Sequence, residues 1–195
     1  MRTIAIFDFD GTLTRKDTFI EFIRFCHGSF KLYLGLILLS HYLISYKLGL
    51  YPNYKAKQKV FSFFFKGMRY ENFYKKGISF SSIIPSFLKQ EQMKKLKEHQ
   101  EYKHDIYIVS ASIKEWIMPW CKLNGINNII CTEIEVDKNQ LLTGKFKTQN
   151  CYGAEKVKRF VEIEPNRNNY YLYAYGDSKG DKAILNFADK GMMCK

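Results

Sequence analysis

Asp8 and Asp10 stand two positions apart in AIFDFDGTLTRKD, residues Ala5 to Asp17, immediately after an apolar run and immediately before Gly11 and Thr12. Asp is common in turns and helix caps, so the pair alone decides nothing. Two more apolar runs end in the same manner. DIYIV, Asp105 to Val109, is followed by Ser110, Ala111 and Ser112; YYLYAY, Tyr170 to Tyr175, is followed by Gly176, Asp177 and Ser178. In an open parallel sheet, right-handed crossovers bring the carboxyl ends of such strands to one edge, where ligands bind. Asp8, Asp10, Asp177 and Asp181 would then crowd a single crevice. Like charges at that range raise one another's pKa unless a cation lies among them. Carboxylate and carbonyl oxygens suit Mg²⁺, which keeps several waters and completes its shell from substrate phosphate. Lys156 is the positive charge available beside a carboxylate nucleophile.

The elements that would position these groups follow from the pattern. Thr3–Phe9, Asp105–Val109, Tyr170–Tyr175 and the weaker Asn128–Cys131 read as buried strands. Ser112–Asn124, Ala154–Glu162 and Lys179–Ala188 read as helices. Strands alternating with helices predict an α/β domain with a Rossmann-like parallel sheet. Glu133–Phe146 reads as a β-hairpin turning at Asp137–Gln140. Residues 16–102 read as a mostly helical insertion after the first strand, which leaves 1–15 and 103–195 as the core.

The chain has 195 residues, 46% of them hydrophobic, enough for one domain with an insertion. Its 31 Lys and Arg outnumber 19 Asp and Glu, so it attracts anions: nucleic acid, acidic lipid or phosphorylated small molecules. The excess is local. Arg15 to Lys103 hold 17 basic and 6 acidic residues. Cys26, Cys121, Cys131, Cys151 and Cys194 are odd in number and include no C-x-x-C pair, which argues against zinc ribbons and a disulfide framework and for reduced thiols in a cytoplasmic protein. The N-terminus lacks a signal-peptide layout. His27, His41, His99 and His104 have no metal-ligand spacing and read as packing or surface residues. The most apolar stretch, Lys31 to Tyr51, is interrupted by Ser40, His41, Ser45 and Lys47, so it reads as a buried or interfacial helix, with membrane-surface contact as the alternative.

Taken together, DFDGTLT, VSAS, CYGAEK and YGDSKGD resemble, in order, the four motifs of the haloacid dehalogenase superfamily of phosphohydrolases. The helical insertion resembles the small cap of the subgroup (IB) that contains phosphoserine phosphatase. The resemblance implies a Mg²⁺-dependent phosphatase acting on a small-molecule phosphomonoester. Asp8 would be the nucleophile that carries an aspartyl-phosphate, and Asp10 the general acid and base. Ser110 and the backbone at Ala111 would bind the phosphoryl oxygens, and Lys156 would neutralise charge. Asp8, the Asp10 carbonyl and Asp177 would hold the metal, with Asp181 and Ser178 orienting them.

Asp17 stands where phosphoserine-specific relatives bind the substrate amino group, usually with Glu. Ala111 stands where they usually carry Gly, and Gly180 where they carry Asn. The cap arginine that binds the phosphoserine carboxylate has only Arg69 and Lys59 as candidates here. The aromatic, basic insertion favours instead an amphipathic phosphate with an apolar leaving group. Phosphoserine hydrolysis, transfer to an acceptor other than water, and peripheral binding of an anionic surface through the basic cap are the alternatives. No nucleic-acid partner is expected, membrane contact would be weak, and nothing in the sequence sets an oligomeric state.

Overall fold

A computed structural model describes residues 2–194. Five strands form one parallel sheet: β1 (Arg2–Phe7), β2 (Asp105–Ile113), β3 (Asn128–Thr132), β6 (Tyr170–Gly176) and β7 (Lys190–Met193), in the order β3-β2-β1-β6-β7. Between β3 and β6 lies an antiparallel hairpin, β4 (Ile134–Val136) and β5 (Leu142–Phe146). The chain is an α/β fold of the Rossmann-like type anticipated from its pattern.

β1 is the central strand, flanked by β2 and β6 and buried on both faces, so its apolar residues run without alternation. One face carries Ile4 and Ile6 into a core with Val109, Leu172 and Phe160 of α7 (Ala154–Ile163). The other carries Ala5 and Phe7 into a larger core that continues into the insertion.

The insertion comprises α1 (Thr18–Leu38), α2 (Ser40–Lys47), α3 (Asn53–Phe65), α4 (Tyr70–Ser81) and α5 (Gln90–Glu101), with a short 3₁₀ turn at Ile84–Phe87. α1 begins at Asp17, whose carboxylate accepts from the Phe19 and Ile20 amides, a standard N-cap. It breaks at Gly28, where φ is +79°, a conformation glycine adopts without strain. Phe22 stacks at 4.4 Å on Trp116 of α6 (Lys114–Leu123), and Phe73 and Phe80 pack edge-on to Phe22 at 5.3 Å. Sheet and insertion therefore share one aromatic core.

Several boundaries differ from the sequence reading. β2 runs on to Ile113 through a bulge, so α6 starts at Lys114 rather than Ser112. The helix expected from Lys179 opens as a 3₁₀ turn over Lys179–Asp181 before α8 (Lys182–Phe187). β7 was not anticipated; Lys-Gly-Met-Met is short and half-exposed, with no buried run to mark it. The stretch Lys31–Tyr51, expected as a buried or interfacial helix, is not buried. It is the end of α1, a 64° bend, and α2, with only Leu32 and Gly35 buried. Among the described residues no single helix is long and apolar enough to cross a membrane. All five cysteines are free thiols.

Candidate active site

β1 ends one residue before Asp8, whose amide still donates to the Tyr175 carbonyl at 2.9 Å and so holds the carboxylate at the sheet edge. The Lys156 ammonium, from the first turn of α7, enters the same edge from the opposite side. It donates to Asp8 Oδ1 at 2.6 Å, Asp181 Oδ1 at 2.6 Å and the Val109 carbonyl at 2.9 Å. All three ammonium protons have acceptors, and the side chain is 2% exposed. Burial opposes the charge on Lys156, but Asp8 and Asp181 outweigh it and raise its pKa above the ordinary lysine value.

Asp181 does not stop at Lys156. Its Oδ2 accepts from the amides of Asp177 and Ser178 and from the Ser178 hydroxyl, at 3.2, 2.9 and 2.8 Å. The Ser178 oxygen in turn accepts from the Gly180 amide, completing a capping box. Asp181 and Ser178 thus fix the loop that carries Asp177. Burial resists the ionisation of Asp181, yet Lys156 and Ser178 hold its pKa below the usual carboxylate value. The Asp177 carboxylate accepts from the Thr12 hydroxyl at 2.9 Å, and that hydroxyl lies 3.5 Å from Asp8 Oδ2.

Asp10 is held separately. Its Oδ1 accepts from the Thr18 amide at 2.8 Å, and its Oδ2 accepts from the Ser112 hydroxyl. Ser112 also contacts the Thr18 hydroxyl at 3.0 Å, and Trp116 Nε1 donates to that hydroxyl at 3.1 Å. Burial, with Asp17 nearby, pushes the Asp10 carboxyl up to about 6. The Ser110 hydroxyl oxygen accepts from the Ser112 amide at 3.0 Å and keeps its own proton to donate.

These groups floor a cavity of about 490 Å³ whose walls mix apolar side chains, Phe19, Ile20, Leu36, Leu43, Ala56 and Val60, with the basic Arg15, Lys16 and Lys57. Asp8, Asp10, Asp17, Ser110, Ala111, Lys156, Asp177, Ser178 and Asp181 all line it. The anticipated residues therefore meet, with one qualification. Asp17 reaches the cavity, but its Oδ1 is engaged in capping α1.

Neither candidate for the carboxylate-binding cation reaches the cavity. Lys59 points outward over the Tyr42 ring, and Arg69 is an exposed residue at the start of α4; neither lines the cavity. Lys57 does. Its ammonium donates to the Ala111 carbonyl at 2.7 Å and lies 5.1 Å from the Phe19 ring centroid. Its signal was available: Ala56 and Val60 are the buried stripe of α3, and Lys57 adjoins that stripe. Thr12, Thr18 and Ser112 were also missed as partners, because hydroxyls carry little signal in sequence. Gly180 has a local reason. A Cβ there would lie 2.3 Å from the Tyr152 ring, so the aromatic fills the space a larger residue would need.

The carboxylates fit a divalent cation. Oxygens of Asp8, Asp177 and Asp181 lie within 4.8 Å of one another. Burial drives the Asp8 carboxyl up to about 7 despite Lys156, and burial raises Asp177 as well. At Asp177 burial outweighs Lys89 and Lys156 together, and a bound cation would restore ionisation. Gly11 makes the close approach feasible. Its φ is +82°, and a Cβ there would sit 2.2 Å from Asp177 Oδ2.

The model of the haloacid dehalogenase-like hydrolase family matches residues 5–186. The chain belongs to that family. Among curated proteins the chain is similar to Protein CicA of Caulobacter vibrioides, 27% identical over 190 residues, covering 96% of this chain and 83% of CicA. The fold is similar to that of a Bordetella pertussis Tohama I protein of unknown function, with a TM-score of 0.81, 18% identity and coverage of 95% and 86% of the two chains. It is also similar to phosphoserine phosphatase in a phospho-aspartyl intermediate analogue, with a TM-score of 0.64, 18% identity and coverage of 96% and 83%.

Proposed function

We propose that this hydrolase is a Mg²⁺-dependent phosphomonoesterase that works through a phosphorylated Asp8. The observation that carries this reading is the Asp8 carboxylate itself. One oxygen is fixed by Lys156 at 2.6 Å, while the other has, among the described residues, only the 3.5 Å contact with Thr12, and Asp8 lines the cavity.

In the proposed reaction a carboxylate oxygen of Asp8 attacks phosphorus, and the bond from phosphorus to the ester oxygen breaks. Asp10, protonated in this step, gives its proton to the departing alkoxide. Water then attacks the phosphoryl group and loses a proton to the Asp10 carboxylate. The bond from phosphorus to Asp8 breaks, releasing phosphate and regenerating both aspartates. Lys156 offsets charge on Asp8 throughout, and the Ser110 hydroxyl donates to a phosphoryl oxygen. Asp8, Asp177 and the Asp10 carbonyl would hold Mg²⁺, which supplies charge neutralisation of the phosphoryl oxygens. Positioning and electrostatics of this kind carry most phosphoryl-transfer catalysis.

The substrate class follows from the walls. Phe19, Ile20, Leu36, Leu43, Ala56 and Val60 give the wall an apolar part beside Arg15, Lys16 and Lys57, which suits an amphipathic phosphate ester with an apolar leaving group over a sugar phosphate or phosphoserine. A series of n-alkyl phosphates, assayed with and without Mg²⁺, tests this. Each methylene that enters the wall contributes up to about 0.8 kcal/mol, roughly fourfold in kcat/KM. A flat chain-length series, or preference for small polar esters, would remove the amphipathic substrate. Turnover indifferent to Mg²⁺ would remove the mechanism.

A further inference from the structure

The end of α1 and α2 bear apolar side chains on two sides. One side packs inward: Leu32 and Gly35 are buried, and Leu36 and Leu43 wall the cavity. The other faces solvent. Phe30, Ile37, Leu48 and Leu50 are 80%, 68%, 68% and 78% exposed, with Leu34, Leu38 and Ile44 also exposed. On α1, Phe30, Leu34, Ile37 and Leu38 follow helical spacing, so they form one stripe. An apolar stripe of this kind on a monomer marks an interaction surface.

Charge indicates what it meets. From Phe22 to Tyr70 the chain has eight Lys or Arg and no Asp or Glu. Lys31, Lys47, Lys55 and Lys59 in this stretch are exposed. Exposed apolar side chains bordered by lysine, without acidic residues, have the composition of an element that lies in a lipid interface. The bent pair has the length to enter a bilayer, but its first turns are committed to the protein core through Phe19, Phe22 and Ile23. Contact parallel to the surface is the arrangement left.

We propose that the Phe30–Leu50 face docks the protein on the surface of an anionic phospholipid bilayer, beside the active-site cavity. The inference stands on exposure and charge and does not require the hydrolysis reading. If both hold, the same helices wall the cavity and touch the lipid, which places the site where amphipathic esters reside.

The test is sedimentation with vesicles of phosphatidylcholine alone, and with about one-third phosphatidylglycerol. The protein is expected to sediment with the anionic vesicles and to be released at about 0.5 M salt. The double variant Ile37→Ser, Leu48→Ser is expected to bind about tenfold more weakly or worse. Lys31→Glu with Lys47→Glu should weaken binding without removing any apolar contact. Both variants should keep p-nitrophenyl phosphate turnover and melting temperature, which separates failure of docking from failure of catalysis or folding. No sedimentation of the wild type, equal binding to neutral vesicles, or variants that bind like the wild type would overturn the proposal. So would a dimer in light scattering that the Ser variant splits, in the absence of vesicle binding.

Discussion

The Lys156 ammonium lies 2.6 Å from Asp8 Oδ1, with both side chains buried. The same ammonium lies 2.6 Å from Asp181. Removing one partner from such a set leaves buried charge uncompensated, at a cost of about 3–5 kcal/mol. Lys156→Met is therefore expected to lose turnover and to lower the melting temperature. Asp8→Asn should differ. Asn keeps an oxygen for Lys156 but is no nucleophile, so p-nitrophenyl phosphate turnover should fall by about 10⁴-fold or more while the fold survives. Near-normal turnover by the Asn variant, measured on monomeric folded protein, would sink the assigned mechanism.

Asp10 is held at both oxygens, by the Thr18 amide and the Ser112 hydroxyl. A carboxyl fixed in this way serves best when the leaving group needs a proton. Asp10→Asn should cost about 10²–10⁴-fold on an alkyl phosphate. On p-nitrophenyl phosphate, whose leaving group departs as a stable anion, the loss in the first step should be smaller. Single-turnover rates on the two substrates give the comparison. Equal losses would show that Asp10 is not the proton donor.

Gly11 gives a test of the metal that does not alter any proposed ligand. A methyl group at this position collides with the Asp177 carboxylate, and the positive φ disfavours any side chain. Gly11→Ala should displace Asp177 and raise the Mg²⁺ concentration for half-maximal activity by about 10–100-fold, the range found when metal ligands lose their orientation. Chelation by EDTA should abolish wild-type turnover, and added Mg²⁺ should restore it. An unchanged Mg²⁺ titration in the Ala variant would remove Asp177 from the proposed metal set.

Much of the site was legible because each of its charged groups follows an apolar strand or opens a helix, and chain topology does the gathering. Asp8, Ser110 and Asp177 sit at the ends of β1, within β2 and after β6, which are neighbours in the sheet. What escaped notice lies on the helical insertion. Lys57 is one of many lysines in a basic segment, and only its place beside Ala56 and Val60 on α3 turns it inward. The extent of β2 was missed for another reason. Ser110, Ala111 and Ser112 have turn-like composition, but the bulge lets Ser112 bond to Asp10 and keeps the strand going. For Lys31–Tyr51, hydropathy alone did not choose between a buried and an interfacial helix. Apolar composition predicts burial, yet the outer side of this segment has nothing packed over it among the described residues.

Glu115 offers a stability test away from the cavity. It sits at the start of α6 against α4, is buried, and its Oε2 has no hydrogen-bond partner among the described residues. Burial pushes its carboxyl from an ordinary 4.5 up to about 7. The folded state therefore retains a proton that the unfolded state has lost between those values. Its contribution to stability is fully present below pH 4.5 and is lost as pH rises through 7. The full difference is on the order of 3 kcal/mol. Glu115→Gln keeps the shape without the charge, so it should raise the melting temperature at pH 8 and change it little at pH 4.5. Calorimetry of both proteins across this range isolates the residue together with its neighbour Glu133, since Asp8 and the acids away from Glu115 titrate alike in each. A variant whose melting temperature runs parallel to the wild type from acid to alkaline pH would show that Glu115 is ionised at no cost.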